Sequence, residues 1–342
     1  MQPDLAILSD FPLKDFNTFG LAARARAYLR VCDVEQLRAV MADPVLSALP
    51  RLLLGGGSNI VLTGDVEALV LHMAIAGKQI VGVDGAHTLV RCGGGENWHG
   101  FVQWTLAQGM GGLENMALIP GTVGAAPIQN IGAYGTELKD VFHALTVYDL
   151  VRGELREMDA AACRFGYRDS IFKHGEGSGL VIVDVTFALP IQWQPNLRYA
   201  ELAQAVAAAG LDAPSAQAIS DIVVAIRQRK LPDPAVIGNA GSFFKNPVVT
   251  RAQCDALLAL HPALVHHAQP DGSEKLAAGW LIDQCGWKGK TMGAAGVYPK
   301  QALVLVNNGG ATGADIVALA RAIQADVAAR YGVKLETEPV FI

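Results

Sequence analysis

The stretch RLLLGGGSNIVLT, residues 51–63, bears most directly on the fold class. Two apolar, strand-like runs flank Gly55, Gly56 and Gly57. A dinucleotide-binding α/β fold needs a G-x-G-x-x-G turn that opens a helix. Here Ile60 stands where the last glycine belongs, and a strand follows where the helix should begin. That rules out the dinucleotide-binding fingerprint, and the elements read outward from here make the chain α+β. Residues able to take φ > 0 let successive N–H groups converge into an anion-binding concavity. The same glycines also suit an ordinary tight connection between strands.

Outward from this turn, residues 26–32 (RAYLRVC) read as a strand. Asp33 and Gln36 form a D-x-x-Q box that opens a helix over 34–42. Downstream, QIVGV and HTLVRC flank Asp84-Gly85, a hairpin signal, and a helix is expected over 97–108. VFHALTVYDLV and ELREM flank Arg152-Gly153 as a second hairpin, and 179–189 (GLVIVDVTFAL) reads as a buried strand. Helices follow at 199–209 and 215–230, stopped by Leu-Pro-Asp-Pro at 231–234. Further helices are expected at 250–260, capped by Thr250 and Gln253, and at 275–285. After the strand ALVLV comes a helix at 313–331 with Ile316, Leu319, Ile323 and Val327 on one face and Gly332 as its cap. The expected organisation is three units, 1–76, 77–232 and 233–342.

The chain has 342 residues, of which 51% are hydrophobic and 17% charged, against about 25% charged in an average soluble protein. Such a chain buries sizeable cores. Lys plus Arg number 27 and Asp plus Glu 32, with no basic block. This gives no support to nucleic-acid or anionic-membrane binding. The N-terminal MQPDLAILSDFPLKDF carries Asp4 and Asp10 and lacks a basic start, so it is not read as a secretory signal. No apolar run reaches the roughly 18 residues of a membrane span. The five cysteines are scattered, without CxxC, which fits reduced thiols and a cytoplasmic location.

Several chemistries fall away on spacing. Gly289-Lys290-Thr291 lacks the earlier glycine of a P-loop, since Gln284 occupies that place. No G-x-S-x-G elbow surrounds Ser58, Ser178 or Ser242. There is no H-E-x-x-H, and the adjacent His266 and His267 cannot share a helix face, so no metal site is expected. What remains is glycine-rich backbone. ENMALIPGTVGAAPIQNIGAYGTEL (114–138) is dominated by small residues that let a flat ligand or a pyrophosphate approach the main chain. A mobile Gly/Ala loop has a similar composition, but Pro120, Pro127, Ile128, Ile131 and Tyr134 make this one too apolar for a solvated linker. Two backbone-rich anion sites in one chain suggest a dinucleotide-like ligand. CRFGYRDSIFK (163–173) offers Arg168 beside Tyr167 and Asp169, and GNAGSFFKNP (238–247) offers Ser242, Lys245 and Asn246. Residues of these types also serve as ordinary surface and capping groups.

Together with DFNTFG (15–20), KLPDP (230–234), AAGWLIDQCG (277–286) and LETEP (335–339), these segments resemble the UDP-N-acetylenolpyruvoylglucosamine reductase family over nearly the whole chain. The resemblance implies a three-domain α+β flavoprotein with a vanillyl-alcohol oxidase type FAD-binding fold. Residues 1–76 and 77–232 would be the two FAD-binding subdomains and 233–342 the substrate-binding domain, with the C-terminal segment returning to the active site. It implies FAD, held non-covalently since no His or Cys sits in the flavin loops, and NADPH as hydride donor. The substrate would be UDP-N-acetylglucosamine enolpyruvate, with no protein partner.

Carried over residue by residue, the resemblance assigns FAD contacts to Gly55, Gly56, Gly57, Ser58, Asn59, Pro120, Gly121, Gly124, Ala125, Ile131, Gly132, Tyr134 and Arg227. Arg168, Ser242 and Glu338 match the catalytic residues. Tyr199, Lys230, Asn246 and Gln301 match those around the UDP-sugar, Tyr199 marking the subtype whose loop closes over the diphosphate. Ala125 and Ala126 stand where some members carry serine, and Val340 where some carry arginine. A nucleotide-binding protein without chemistry is disfavoured by the joint presence of Arg168, Ser242 and Glu338. A flavin oxidase of the same superfamily is disfavoured by Arg168 together with GSFFKNP.

Overall fold

The computed structural model describes residues 5–342; Asp4 lies outside the described residues. The chain forms two compact units. The first comprises the stretch up to Phe11, Ala25–Gly56 and Glu67–Arg227; the second comprises Pro12–Arg24, Gly57–Val66 and Gln228–Ile342.

The first unit holds two large sheets and the two-stranded ribbon Gly132–Ala133 with Thr136–Glu137. One is four-stranded, in the order Leu8–Pro12, Arg24–Val31, Val66–Met73, Arg51–Leu54. Its last two strands run parallel, Leu54 opposite His72, so the glycine turn leaves from a central-to-edge parallel pair. Val34–Ala42 is a helix, and the Asp33 carboxylate accepts the Gln36 N–H at 2.9 Å. The reciprocal bond falls one residue further back than a capping box requires: Gln36 Oε1 accepts from the Cys32 N–H.

The second sheet is five-stranded and antiparallel: Glu154–Asp159, Phe142–Asp149, Leu180–Pro190, His87–Gly93, Lys78–Asp84. Both expected hairpins are present, with Gly85 at φ +55° and Gly153 at +73°. One face of this sheet receives the helix Trp98–Ala107 through Trp98, Phe101 and Phe187, all buried, with Phe101 and Phe187 ring centroids 5.1 Å apart. Burying each such ring contributes on the order of 1.5–3 kcal/mol. The helices Ala200–Ala208 and Ala216–Lys230 pack on the same core through Leu202, Val206, Ile219 and Val223.

In the second unit Gly313–Tyr331 is the longest helix, and Ile316, Leu319, Ile323 and Val327 are its buried stripe. Thr312 and Asp315 form a reciprocal capping box, and Gly332 closes the helix at φ +64°. The helix covers an antiparallel sheet ordered Gly238–Ser242, Val304–Asn307, Ala295–Val297, Thr291–Met292.

Two expectations need correction here. The helix proposed for 275–285 is only Ala278–Gln284. Glu274–Leu276 is a strand, its ends buried and its middle half-exposed in the period of two, between Val248–Val249 and His266–Ala268. The strand expected at IVLT is only Ile60–Val61, because its one partner is the short C-terminal Val340–Phe341, in parallel register.

Candidate active site

In the first unit, glycine brings backbone against backbone. A Cβ on Gly56 would lie 2.9 Å from Gly121 Cα, and one on Gly124 would lie 2.9 Å from Gly94 Cα. The loop around Pro120 is stitched to the start of the Trp98–Ala107 helix. The Trp98 N–H donates to the Gly121 carbonyl, Val123 to Glu96 and Gly124 to Gly94, at 2.8–3.0 Å. Ala125 donates to Thr122. The N–H groups of 123–125 are therefore spent on the fold. None of the bonds that stitch these loops uses the N–H of Gly56, Gly121 or Thr122. Beside them opens a cavity of about 490 Å³ whose walls include Gly55, Gly94, Thr122, Gly124, Ala125 and Ser178. A wall with several glycines and the uncommitted Thr122 amide, next to those of Gly56 and Gly121, suits a pyrophosphate approaching main chain, so these residues fit FAD.

The far part of the same loop carries side-chain chemistry. Asn130 is fully buried at φ +43°. Its amide donates to the Gly166 carbonyl at 2.9 Å and to Glu137, and its oxygen accepts from the Lys139 N–H. Ser170 Oγ donates to the Ile128 carbonyl. These bonds fix a tight turn, closed by the Gly166 N–H donating to Asp169, in which Arg168 sits at φ +53°. Its guanidinium donates to the Gly132 carbonyl at 2.8 Å and lies 5.6 Å from the centre of the Tyr167 ring. Asn130 and Ser170 were not singled out in the sequence, where neither stands apart from an ordinary loop residue.

Tyr134 is likewise left-handed, at φ +49°, and its carbonyl accepts from Asn115 Nδ2. Its ring meets the half-exposed Tyr199 edge-on at 5.2 Å. Its hydroxyl bonds to Arg227, whose pKa burial lowers and Tyr134 raises. Arg227 Nε is buried without a partner. An unspent buried donor beside this loop is a second feature that fits a flavin-sized acceptor. Structure thus groups Pro120, Gly121, Gly124, Ala125, Ile131, Gly132, Tyr134, Arg168, Tyr199 and Arg227 in one unit, with Gly55 and Gly56.

Gly57, Ser58 and Asn59 belong to the second unit. Gly57 has φ +60°, and any Cβ there would overlap the Phe16 carbonyl. Asn59 donates its side-chain amide to the Glu338 carbonyl at 3.2 Å, and its own carbonyl accepts from the Val340 N–H. The C-terminal segment also pairs with 243–245: Glu338 N–H donates to Phe243, Lys245 N–H to Glu336, and Phe244 opposes Thr337. Ser242 and Glu338, remote in sequence, so lie on adjoining extended segments. Ser242 ends a strand that carries one extra residue at Ala240-Gly241, where Gly241 takes φ +69°. Such a bulge re-aims the side chain that follows it.

Asn246 Oδ1 accepts the Ala278 N–H at 3.0 Å, and Gln301 Oε1 reaches the neighbouring Gly279 and accepts from Leu303. These two are brought together at the start of the Ala278–Gln284 helix. Lys230 ends its helix, half-buried.

Elsewhere in this unit Cys254, His266 and Glu274 place their donor atoms within 4.8 Å of one another, a grouping that sequence spacing did not suggest. The buried Glu274 carboxylate contacts His266 Nδ1 at 2.9 Å and accepts from the exposed Arg251 at 3.1 Å, so protein groups already hold it. All five cysteines are free, and burial pushes the Cys163 thiol up to about 12.

Fold, cradle and comparison agree on a class. Residues 25–159 match the family model for an FAD-binding domain, and the chain is an α+β flavoprotein of more than one domain. Residues 233–342 match the model for the C-terminal domain of UDP-N-acetylenolpyruvoylglucosamine reductase. The chain is 59% identical over 342 residues to the UDP-N-acetylenolpyruvoylglucosamine reductase of Paraburkholderia phymatum, covering 99% of each. It is 59% identical over 344 residues to that of Azoarcus sp. (strain BH72), again covering 99% of each. The crystal structure of the corresponding reductase (MurB) from Thermus caldophilus shares the fold, with a TM-score of 0.66 at 23% identity, covering 98% of this chain and 99% of that one. The chain belongs to the UDP-N-acetylenolpyruvoylglucosamine reductase family.

Proposed function

We propose that the chain reduces UDP-N-acetylglucosamine enolpyruvate to UDP-N-acetylmuramate, using FAD and NADPH, in the supply of peptidoglycan precursors. The observation that carries this reading is the pairing of 243–245 with 336–338, which sets a hydroxyl and a carboxyl on adjoining segments. When bound, FAD supplies hydride transfer, from NADPH to the enol-ether carbon distal to the substrate carboxylate. Negative charge then develops on the carbon beside that carboxylate and spreads into it. Arg168, a planar two-donor fork, and Glu338 in its acid form hydrogen-bond the carboxylate and so stabilise the charge. Ser242 delivers the proton; a hydroxyl is a weak acid, but a carbanion of this kind is far more basic, so the transfer runs downhill.

Tyr199, Lys230, Asn246 and Gln301 hold the UDP-sugar in this scheme. The Gly55–Asn59 turn, with Pro120, Gly121, Gly124, Ala125, Ile131, Gly132, Tyr134 and Arg227, holds FAD non-covalently. With alanine at 125 and 126, the hydroxyl contacts to FAD that serine makes in some members are lost and main-chain contacts of the cradle remain. Residues 1–76 and 77–232 act as FAD-binding subdomains and 233–342 as the substrate domain. No helix among the described residues is long and apolar enough to cross a membrane; a cytoplasmic location and a small-molecule substrate without a protein partner complete the proposal.

Purified protein should release a flavin that chromatographs as FAD. Beyond the one equivalent that reduces its flavin, it should also oxidise NADPH only when the enolpyruvyl sugar nucleotide is present, with or without air. Colourless protein that acquires no flavin spectrum on reconstitution, or oxidation that needs oxygen and ignores the sugar nucleotide, would overturn the reading.

A further inference from the structure

Leu118 sits at φ +58°, a conformation that side chains other than glycine rarely adopt, two residues before Pro120. Its N–H donates to His99 Nδ1 at 3.0 Å. His99 lies in the first turn of Trp98–Ala107. The residue before it grips the same loop on both sides, the Trp98 indole donating to the Met116 carbonyl and its N–H to that of Gly121. The two Trp98 bonds bracket Leu118, and His99 makes the one that acts on the strained residue itself. We propose that His99 is a positioning residue for FAD: its acceptor nitrogen holds Leu118 left-handed, and that bend presents the Gly121 and Thr122 amides. The inference rests on the FAD reading above. An imidazole can accept at Nδ1 only while neutral with its proton on Nε2. Burial, and secondarily the charge of Arg227, lower its pKa and so keep that form.

The bond needs an acceptor at one place and nothing else of the imidazole. In His99→Asn the Oδ1 atom falls near the position of Nδ1, whereas His99→Leu keeps bulk and loses the acceptor. The test strips FAD from the full-length parent, His99→Asn, His99→Leu and a His99→Leu/Leu118→Gly double variant, and measures FAD affinity by flavin fluorescence quenching on reconstitution. Thermal unfolding of each stripped protein runs alongside. His99→Leu should bind FAD at least tenfold more weakly, and His99→Asn within about threefold of the parent. The double variant should recover most of the loss, because glycine holds the left-handed bend without help. Equal affinity in the parent and His99→Leu, or equal losses in His99→Asn and His99→Leu, would overturn the proposal. If His99→Leu fails to fold, affinity in His99→Asn decides: parent-like supports the positioning role, and a tenfold loss in a folded protein contradicts it. A parent that binds no FAD would instead bring down the reading beneath it.

Discussion

The loop of residues 114–138 and the C-terminal segment 335–342 support function in opposite ways. The loop is shaped by its own backbone. Three non-glycine residues, Leu118, Asn130 and Tyr134, are held left-handed by His99, by Gly166 with Lys139, and by Asn115 with Arg227. Strain of this kind persists only where the surroundings over-determine it. The C-terminal segment contains no such residue and is positioned by ladder bonds to 59–63 and 243–245. A site built from strained backbone fails when a Cβ or a clamp changes. A site built from side chains on paired strands fails when the functional group changes and otherwise keeps its fold.

The largest effect should come from Ser242→Ala. Flavin reduction by NADPH requires no proton donor to carbon, so it should stay near the parent rate. Reoxidation by the enolpyruvyl substrate should fall by more than the roughly 10²–10⁴ typical of general acid catalysis. Stopped-flow absorbance separates the two. If Ser242 served only its loop, both steps would fall together, by about tenfold for ~1.4 kcal/mol. Arg168→Lys should come next, with turnover down by about 100-fold or more, since a point cation cannot replace a fork. Near-normal steady-state turnover would remove Arg168 from the mechanism.

Gly56→Ala and Gly124→Ala meet backbone at 2.9 Å. Each should destabilise by roughly 1–3 kcal/mol and release FAD during purification, read as the ratio of flavin to protein absorbance. Smaller still is a pH effect. His72, whose Nδ1 contacts the Tyr28 hydroxyl at 2.6 Å, and His99 both titrate below the usual 6.5 because burial disfavours the cation. Between those lowered values and 6.5 the unfolded chain binds more protons than the folded one. Stability from these groups is complete above 6.5 and declines as pH falls below it. Urea midpoints at pH 5.5 and 7.5 should differ in that sense, and His99→Asn should shrink the difference. Gly64→Ala, with open space around its Cβ, should change unfolding by no more than about 0.5 kcal/mol.

Local chemistry in the sequence revealed what local chemistry decides. The hairpins at Gly85 and Gly153, the Asp33 cap and the buried stripe of Gly313–Tyr331 each depend on residues a few positions apart. Pairing of Ile60–Val61 with Val340–Phe341 joins segments far apart in the sequence, and two-residue strands leave no periodicity to read. Lys275 and Leu276 passed for helix because a three-residue strand is too short for its alternation to stand out in the sequence. The resemblance named Arg168, Ser242 and Glu338, yet not what positions them. Asn130 and Ser170 for the first, the bulge at Gly241 for the second and Asn59 for the third are tertiary facts. The main-chain approach expected along 114–138 narrows, because the fold itself uses the amides of 123–125.

An anaerobic single turnover of the parent enzyme tests the central claim most directly. NADPH should bleach the flavin band, and one equivalent of UDP-N-acetylglucosamine enolpyruvate should restore it while the sugar nucleotide gains the mass of two hydrogens. A band that stays bleached, or returns with the sugar nucleotide unchanged in mass, would contradict the account.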